Sequence, residues 1–291
     1  MGKLKIITDT ASDIPKELGK KYDLDLIPFP IVIGDKSYLS GGDLDNEECF
    51  RLMEENEGIP MTSQITSYQF MEKYYHYYKE GYTDLLLVLI NGKGSATYGN
   101  ALMAVDMLFE EHPECEGKIK IHCHDGMSYS GSYGHPVLVA AQMAQEGKTV
   151  EEINQYLDGI LPKRKVYFGI YHLKYAAKSG RIPSAAAFIG DKMGIHPIMV
   201  IKDGEITTAS KCRGDKKVVT KVKDLALAEM EKGSDYQLVY GADVKVRDEM
   251  IEKLTQELGY GPTECYQIGP VIAANSGPKV IGIFFNVKEE A

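Results

Sequence analysis

The sequence lacks the features that would direct a protein to a membrane or to a nucleic acid. Leu85–Ile90 is among its longest uninterrupted apolar runs, which is far too short to cross a bilayer. Lys and Arg total 33 against 42 Asp and Glu, giving a net charge of −9. Nonspecific binding of nucleic acid requires a basic surface, which this balance does not supply. We therefore expect no membrane insertion and no nucleic-acid partner.

The cysteines lack any pairing pattern. The five present are scattered and none forms a CxxC pair: Cys49, Cys115, Cys123, Cys212 and Cys265. An odd, scattered set is typical of reduced thiols in a cytoplasmic protein. The amino terminus leads directly into a short strand-like run at Ile6-Ile7, without the longer apolar core of a secretory signal. We expect a soluble, cytoplasmic protein.

No catalytic motif is complete. Gly92–Ser95 is similar to a phosphate-binding loop, but Leu87 stands where GxxxxGK[ST] requires its first glycine. Asp9–Ala11 begins like an aspartyl-phosphate phosphatase signature, but Ala11 replaces the second carboxylate that acid–base catalysis needs. Gly126–Ser130 misses the GxSxG nucleophile pattern at its last position. These absences predict a protein that is not an enzyme.

The best metal candidate is the segment His122-Cys123-His124-Asp125. On a strand, His122 and His124 would share one face, so they could supply two ligands. A third ligand would have to come from Asp125, His112 or His135, and none of these lies at a recognised spacing. We interpret the segment as a polar strand end, and we expect neither a metal nor a cofactor.

Short apolar runs alternate with amphipathic segments, which predicts an α/β fold with two α/β domains, residues 1–161 and 162–291. In the first domain we predict strands at Leu4–Thr8, Leu26–Ile33, Leu85–Ile90 and Lys118–Cys123, and helices at Ile14–Tyr22 (capped by Ser12 or Asp13), Asn46–Glu55, Ser67–Glu80, Thr97–Glu111, Gly134–Glu146 and Val150–Gly159. The prolines Pro28 and Pro30 indicate an edge position for Leu26–Ile33, or an excursion from the strand ladder. In the second we predict strands at Val166–Ile170, Gln237–Gly241, Thr263–Gln267 and Val280–Asn286, helices at Pro183–Met193, Val218–Lys232 and Val246–Leu258, and a hairpin that turns at Asp203-Gly204.

Small and hydroxyl-bearing residues follow two of the predicted strands. Thr8–Asp13 comes directly after the first apolar run, and Gly92–Tyr98 comes after Leu85–Ile90. In parallel sheets the loops at the carboxyl ends of the strands gather in one place, where ligands bind. Their backbone N–H groups and hydroxyls suit a carboxylate or a phosphate. The sequence therefore predicts a site for one anionic group.

Several segments, in the same order and spacing, resemble the DegV family of bacterial fatty-acid-binding proteins. They are Ile6–Pro15 (the opening strand and loop), Thr62-Ser63-Gln64, Ser95-Ala96-Thr97-Tyr98 (with Ala96 for the usual glycine), Ser179-Gly180-Arg181 and Ser276-Gly277-Pro278. The resemblance covers essentially the whole chain. It implies two α/β domains with one long-chain fatty acid between them, a carrier without catalytic activity, and presentation of the lipid to a fatty-acid kinase for phospholipid synthesis.

The resemblance also assigns site residues. We expect Thr62, Ser63, Ser95, Asn275 and Ser276 to bind the carboxylate, and Arg213 to face the kinase. The segment Ala185–Ile189, with Met193 and Ile195, offers small and apolar residues along which an acyl chain could pass. Three positions depart from the family pattern: Asn275 replaces a histidine of the late loop, Lys279 replaces a glycine, and Gly126 replaces a serine.

Two other functions stay open. An enzyme of the phosphotransferase or hydrolase type would need a base near Ser95 or Asp9, and no histidine lies near either in the sequence. A regulatory module that binds another small acid is the second alternative, to which Asn275 gives some support.

Overall fold

The computed structural model describes residues 2–56, 58–182 and 194–287. Its strands are β1 Leu4–Asp9, β2 Asp25–Ile27, β3 Pro30–Ile33, β4 Lys36–Leu39, β5 Met61–Thr62, β6 Asp84–Leu89, β7 Lys120–Asp125, β8 Arg164–Ile170, β9 Ile195–Lys202, β10 Glu205–Arg213, β11 Tyr236–Tyr240, β12 Glu264–Gln267 and β13 Val280–Asn286. Its helices are α1 Lys16–Lys21, α2 Asn46–Glu55, α3 Ser67–Lys79, α4 Thr97–Glu111, α5 Gly131–Gln145, α6 Val150–Ile160, α7 Leu173–Ser179, α8 Val218–Glu229, α9 Val244–Leu258 and α10 Pro270–Ser276. The predicted α/β class is confirmed.

The first sheet is parallel and has the strand order β2-β1-β6-β7. Its central strand β6 carries the apolar run Leu85–Leu89, which is fully buried, as is usual for the inner strands of a parallel sheet. The order places the loops after β1, β6 and β7 side by side at one edge. The polar residues that follow these strands are therefore neighbours in space, as the sequence pattern predicts.

The strand-like segment Leu26–Ile33 divides into two strands: β2 lies at the edge of the first sheet, and the chain then makes the excursion that Pro28 and Pro30 indicated. The chain leaves the first sheet after Ile27, turns through Pro28-Phe29 and enters β3 at Pro30. Proline has no N–H for a ladder, so a strand is easily interrupted at Pro28 and easily begun at Pro30. The excursion builds a second, three-stranded antiparallel sheet with the order β4-β3-β5. This small sheet carries Thr62 toward the loops of the first sheet.

The third sheet has six strands in the order β10-β9-β8-β13-β11-β12, and it is mainly antiparallel. The predicted hairpin is confirmed, with β9 and β10 joined at Asp203-Gly204. Both turn residues have positive φ, 52° and 74°, which Asp and Gly tolerate better than most residues do. The third sheet lies wholly in residues 164–286, whereas the first two lie in residues 4–125.

Two local predictions are corrected. Helix α1 begins at Lys16, after Pro15, and neither Ser12 nor Asp13 caps it. Helix α10 contains Asn275 and Ser276, which we expected in a loop. Helix α7 occupies a segment for which we predicted no element. The helix predicted at residues 183–193 lies outside the described residues.

Helix α5 packs between the two halves of the chain. It contacts β1 and β6 of the first sheet, and β8, β11 and β13 of the third. One hydrophobic cluster accordingly includes Ile7 and Tyr133 from the first half and Phe284 from the second. The domain boundary at residue 161 stays a prediction. Within the described residues, no helix combines the length and the apolar character needed to span a membrane.

Candidate functional site

A cleft lies where the first and third sheets face each other, and it contains about 920 Å³ of empty space, part of it open to solvent. Its apolar lining comprises Phe29, Ile90, Ala96, Val166, Phe168, Ile182, Ile201, Ile206, Val239, Ile268, Val271, Ile272, Val280 and Phe284. Its polar lining comprises Thr62, Ser63, Gln64, Gly94, Ser95, Tyr129, Ser130, Arg181, Asn275 and Ser276. A mostly apolar cleft with several converging polar groups is the usual form of a small-molecule site.

All five residues predicted to bind a carboxylate line this cleft. Thr62 ends β5 and is half-buried, and the following N–H of Ser63 donates to the Pro30 carbonyl at 3.1 Å. This bond fixes the chain as it leaves the small sheet. Ser95 comes from the loop after β6. The structure thus brings together residues that are far apart in the sequence, although their contact with a ligand stays a prediction.

Two carboxylates, Asp9 (buried) and Asp125 (half-buried), hold the loop after β6 in place. Asp9 Oδ2 accepts from the Ile90 N–H at 2.8 Å, and Asp125 Oδ1 accepts from the Gly92 N–H at 2.9 Å. Asp9 also accepts from the Ala11 N–H and from the Tyr133 hydroxyl. Burial raises the pKa of Asp9 to about 6 even though these three donors lower it. The aspartates at the ends of β1 and β7 therefore shape the loop that presents Ser95.

The Ser95 hydroxyl interacts with the start of α4. Its Oγ lies 2.9 Å from Thr97 Oγ1 and accepts from the Thr97 N–H at 3.3 Å. Thr97 Oγ1 in turn accepts from the Ile65 N–H. If Thr97 donates its own proton to Ser95, the Ser95 proton is left for another acceptor. The hydrogen bond from the Thr97 N–H is therefore compatible with a ligand-binding role of Ser95.

Asn275 and Ser276 lie at the end of helix α10, so the loop expected at these positions is wrong. Gly269 precedes Pro270 at the first helical position, where proline is favoured, and the helix is too short to show a clear period in the sequence. Asn275 Nδ2 donates to the Val271 carbonyl at 2.8 Å, and Ser276 Oγ lies 3.0 Å from the Ile272 carbonyl. Both donors therefore face their own helix in this conformation.

Arg181 is a lining residue that the sequence reasoning missed. It follows α7, its side chain is exposed at the polar end of the cleft, and its Nε lies 3.5 Å from the Gly94 carbonyl. The guanidinium offers five N–H donors and a permanent positive charge, which suit a carboxylate. The segment Ser179–Arg181 contributed to the family resemblance, but nothing in it alone indicated that it lies beside Ser95.

Arg213 lies outside the cleft. It ends β10, is exposed and does not line the cleft. The expected acyl-chain segment Ala185–Ile189 and Met193 lie outside the described residues. Ile195 begins β9 and is not part of the cleft lining.

His122 and His124 share one face of β7, as expected. His122 Nε2 lies 3.2 Å from Asp84 Oδ1, and His124 Nδ1 lies 3.2 Å from Asp158 Oδ1. Asn154 hydrogen-bonds both rings. In the part of the chain that the structure describes, no group of three or more His, Cys, Asp or Glu side chains could hold a metal ion.

Comparison with known proteins agrees with this architecture. The model of the family described as "Uncharacterised protein, DegV family" matches residues 3–288. The chain belongs to the DegV family. A DegV domain-containing protein of Clostridium acetobutylicum is 32% identical over 288 residues, which cover 98% of this chain and 99% of that protein.

Two solved structures of proteins from Thermotoga maritima have similar folds. One, described as revealing fatty acid binding function, has a TM-score of 0.82 at 26% identity and covers 99% of this chain and 100% of its own. The other, a DegV lipid binding protein, has a TM-score of 0.83 at 27% identity with the same coverage.

Two departures from the DegV pattern have a structural explanation. A side chain at Gly126 would meet the Leu89 carbonyl oxygen at 2.5 Å and Tyr133 Cβ at 2.9 Å, so the serine usual in the family has no room here. Lys279 Nζ pairs with Asp243 at 3.0 Å and lies over the Tyr171 ring. It therefore interacts with groups that do not line the cleft.

Proposed function

We propose that this DegV protein is a non-catalytic carrier of one long-chain fatty acid. The observation that supports the proposal most is the cleft between the two large sheets, which combines a long apolar lining with a polar end built from Thr62, Ser63, Ser95, Asn275 and Ser276. In this proposal the polar end binds the carboxylate and the apolar lining covers the acyl chain. The two Thermotoga relatives described as binding fatty acid or lipid add support.

The physical chemistry of the cleft fits an ionised lipid. A buried carboxylate must be hydrogen-bonded, and hydroxyls together with the Arg181 guanidinium can supply the donors. Each methylene group removed from water contributes about 0.8 kcal/mol, so a long chain gains far more from this lining than a small acid would. This difference favours the fatty acid over a small-acid regulator.

The enzyme alternative receives less support. Asp9, near which such an enzyme would need a base, has its carboxyl engaged by three donors. The hydrogen bonds of the Ser95 hydroxyl are with Thr97 and not with a base. We propose that chemistry on the carboxylate is carried out by a separate fatty-acid kinase, and that Arg213 belongs to the surface that this kinase contacts.

The test is denaturing mass spectrometry of lipid extracted from protein purified from a bacterial host. We expect about one fatty acid per chain, and we expect added fatty acid to raise the melting temperature of delipidated protein. Extraction that yields no stoichiometric lipid, together with an unchanged melting temperature, would exclude the carrier function. Lipid released in chemically modified form would support the enzyme alternative instead.

A further inference from the structure

The side chain of Asn91 has a single amide orientation that satisfies its neighbours. Its Nδ2 lies 2.8 Å from the Gly204 carbonyl, which can only accept. Its Oδ1 lies 3.2 Å from the Lys93 N–H, which can only donate. Asn91 is 1% exposed, so water does not substitute for either partner. The nitrogen and oxygen of this amide are therefore assigned by the hydrogen-bond network.

This orientation determines the role of the Tyr129 hydroxyl. Asn91 Nδ2 uses its second proton to donate to Tyr129 Oη at 2.9 Å. Tyr129 is therefore the acceptor in that bond and must donate its own proton to something else. Among the described residues Tyr129 Oη has no acceptor. A half-buried hydroxyl without an acceptor is unfavourable unless water or a ligand completes its hydrogen bonding.

Tyr129 Oη lies at the polar end of the cleft. It packs directly on Gly94, where an added Cβ would come within 2.0 Å of the hydroxyl oxygen. Ser95 is the next residue, and Arg181 reaches the Gly94 carbonyl from the other side. All three of these residues and Tyr129 line the cleft. The hydroxyl thus lies beside the groups proposed to bind the carboxylate.

The tyrosine keeps its proton at neutral pH. Burial raises the pKa of Tyr129 above its usual value, although the hydrogen bond from Asn91 and the charge of Arg181 lower it. A neutral tyrosine beside an anion is a donor, and a hydrogen bond to a charged acceptor is stronger than one between neutral groups.

We propose that Tyr129 donates a hydrogen bond to the carboxylate of the bound fatty acid, and that Asn91 positions it by occupying the other side of the hydroxyl oxygen. This inference rests on the proposed carrier function. Because Asn91 also donates to Gly204, the turn of the β9–β10 hairpin helps to position Tyr129, in addition to the apolar lining that Ile201 and Ile206 of this hairpin supply. Lys93 Nζ donates to the Asp203 carbonyl and to the Glu205 carboxylate, which also holds the turn of the hairpin against the loop after β6.

The experiment compares two ligands and two variants. Affinities for a saturated C16 fatty acid and for the corresponding fatty alcohol are measured with wild-type protein, Tyr129→Phe and Tyr98→Phe. Tyr98 is the matched control, because it is half-buried in the same region but does not line the cleft. We expect Tyr129→Phe to weaken acid binding about tenfold and alcohol binding less than about threefold, since the neutral oxygen is a weaker acceptor. Tyr98→Phe should match wild type.

A second variant tests the positioning role without removing Tyr129. Asn91→Asp replaces the Nδ2 donor with an acceptor, which turns the Tyr129 proton away from the cleft. We expect this variant to lose affinity for the acid as Tyr129→Phe does, again with a smaller loss for the alcohol. The melting temperatures of Tyr129→Phe and Asn91→Asp show whether each protein is folded. Either of these variants, if folded, is sufficient for the test.

The outcomes separate the two proposals. Wild-type protein that binds no fatty acid would overturn the carrier function itself. Wild-type binding with an unchanged affinity in Tyr129→Phe would overturn only the role of Tyr129. An equal loss for acid and alcohol would also overturn it, because the effect would then be independent of the charge of the head group.

Discussion

Asp13 and Gly269 join the two halves of the chain: Asp13 Oδ1 accepts from the Gly269 N–H at 2.8 Å, across 256 positions of sequence. Asp13 follows β1, and Gly269 precedes α10, the helix that carries Asn275 and Ser276. Burial raises the pKa of Asp13 to about 8, although Ser130 and the Gly269 N–H lower it. This carboxyl therefore binds a proton near neutral pH in the folded protein, whereas its ordinary value is 3.8.

We predict that Asp13→Asn stabilises the protein at pH 8. A carboxyl with a raised folded-state pKa contributes stability below its unfolded pKa and loses that contribution as pH rises. For Asp13 the loss runs from about pH 4 to about pH 8. Asparagine keeps the acceptor for Gly269, does not ionise and tolerates the φ of 53°. The gain in unfolding free energy at pH 8 should exceed about 1.4 kcal/mol, the equivalent of a tenfold change in equilibrium.

Denaturant unfolding at pH 5, 6.5 and 8 measures this effect. Asp203→Asn is the matched control, because Asp203 has a φ of 52° but is exposed. The control should show the same pH dependence as wild type. Asp9 remains in every variant, so part of the pH dependence will persist. Parallel pH profiles for wild type and Asp13→Asn would show that the Asp13 carboxyl does not titrate in this range.

We predict that Ser95→Ala weakens fatty-acid binding by about 1–3 kcal/mol, the usual cost of losing a hydrogen bond to a charged group. Thr62→Val, which removes the hydroxyl but keeps the shape of the side chain, should also weaken fatty-acid binding. Because Ser95 also accepts from the Thr97 N–H, the alanine variant should lose some stability without ligand. Isothermal titration at a temperature well below the apo melting point separates the two effects. An unchanged affinity would leave Ser95 only its hydrogen bonds to Thr97 at the start of α4.

Arg181 and Arg213 should give opposite results. Arg181→Ala removes the charged donor at the cleft and should weaken lipid binding at least tenfold. Arg213→Ala should leave lipid binding unchanged, because this residue lies outside the cleft. With a cognate fatty-acid kinase, lipid-loaded Arg213→Ala should form acyl phosphate more slowly than wild type. Equal turnover of wild type and Arg213→Ala would remove Arg213 from the kinase-facing surface.

The sequence predicts those parts of the fold that repeat a local pattern. Helices Asn46–Glu55 and Thr97–Glu111 and strand Val280–Asn286 have the bounds that were expected. Their apolar periods are long enough to be recognised, and their ends have clear signals. Short elements such as α10 are not recognised from the sequence, because its seven residues make less than two helical turns and show no clear apolar period.

The site is predictable only in part for the same reason. Ser95 is visible because it follows a buried strand at a sheet edge, where the local pattern and the topology agree. Arg181 follows α7 in the second half of the chain and reaches the cleft only through the packing of the two halves, which no local pattern encodes. Tyr129 lies in the loop after β7, at the same sheet edge as Ser95, but a lone tyrosine there gives no signal of an anion site. The proton direction of Tyr129 depends on Asn91, Gly204 and Lys93, which only the folded chain brings together.

The last prediction concerns Asn275, where the family usually has histidine. Asparagine does not titrate, so we expect affinity for a fatty acid to be flat between about pH 5.5 and 8. Asn275→His should introduce a step: an imidazolium donates a charged hydrogen bond below about pH 6.5, and this contribution fades as pH rises. Binding should then be tighter at pH 5.5 than at pH 8 by about threefold to tenfold, the scale of a charge-assisted bond.

Histidines already present should not produce this step. His172 packs against Gly277 at the end of α10, but burial and the charge of Lys279 lower its pKa, so its own titration moves toward more acidic pH than that of an introduced imidazole. Asn275→Ala completes the set, since it removes the amide without adding a titrating group and should weaken binding at every pH. A flat profile for Asn275→His, with unchanged affinity for Asn275→Ala, would mean that this position does not reach the carboxylate. Asn275 would then act only within α10, through its bond to the Val271 carbonyl.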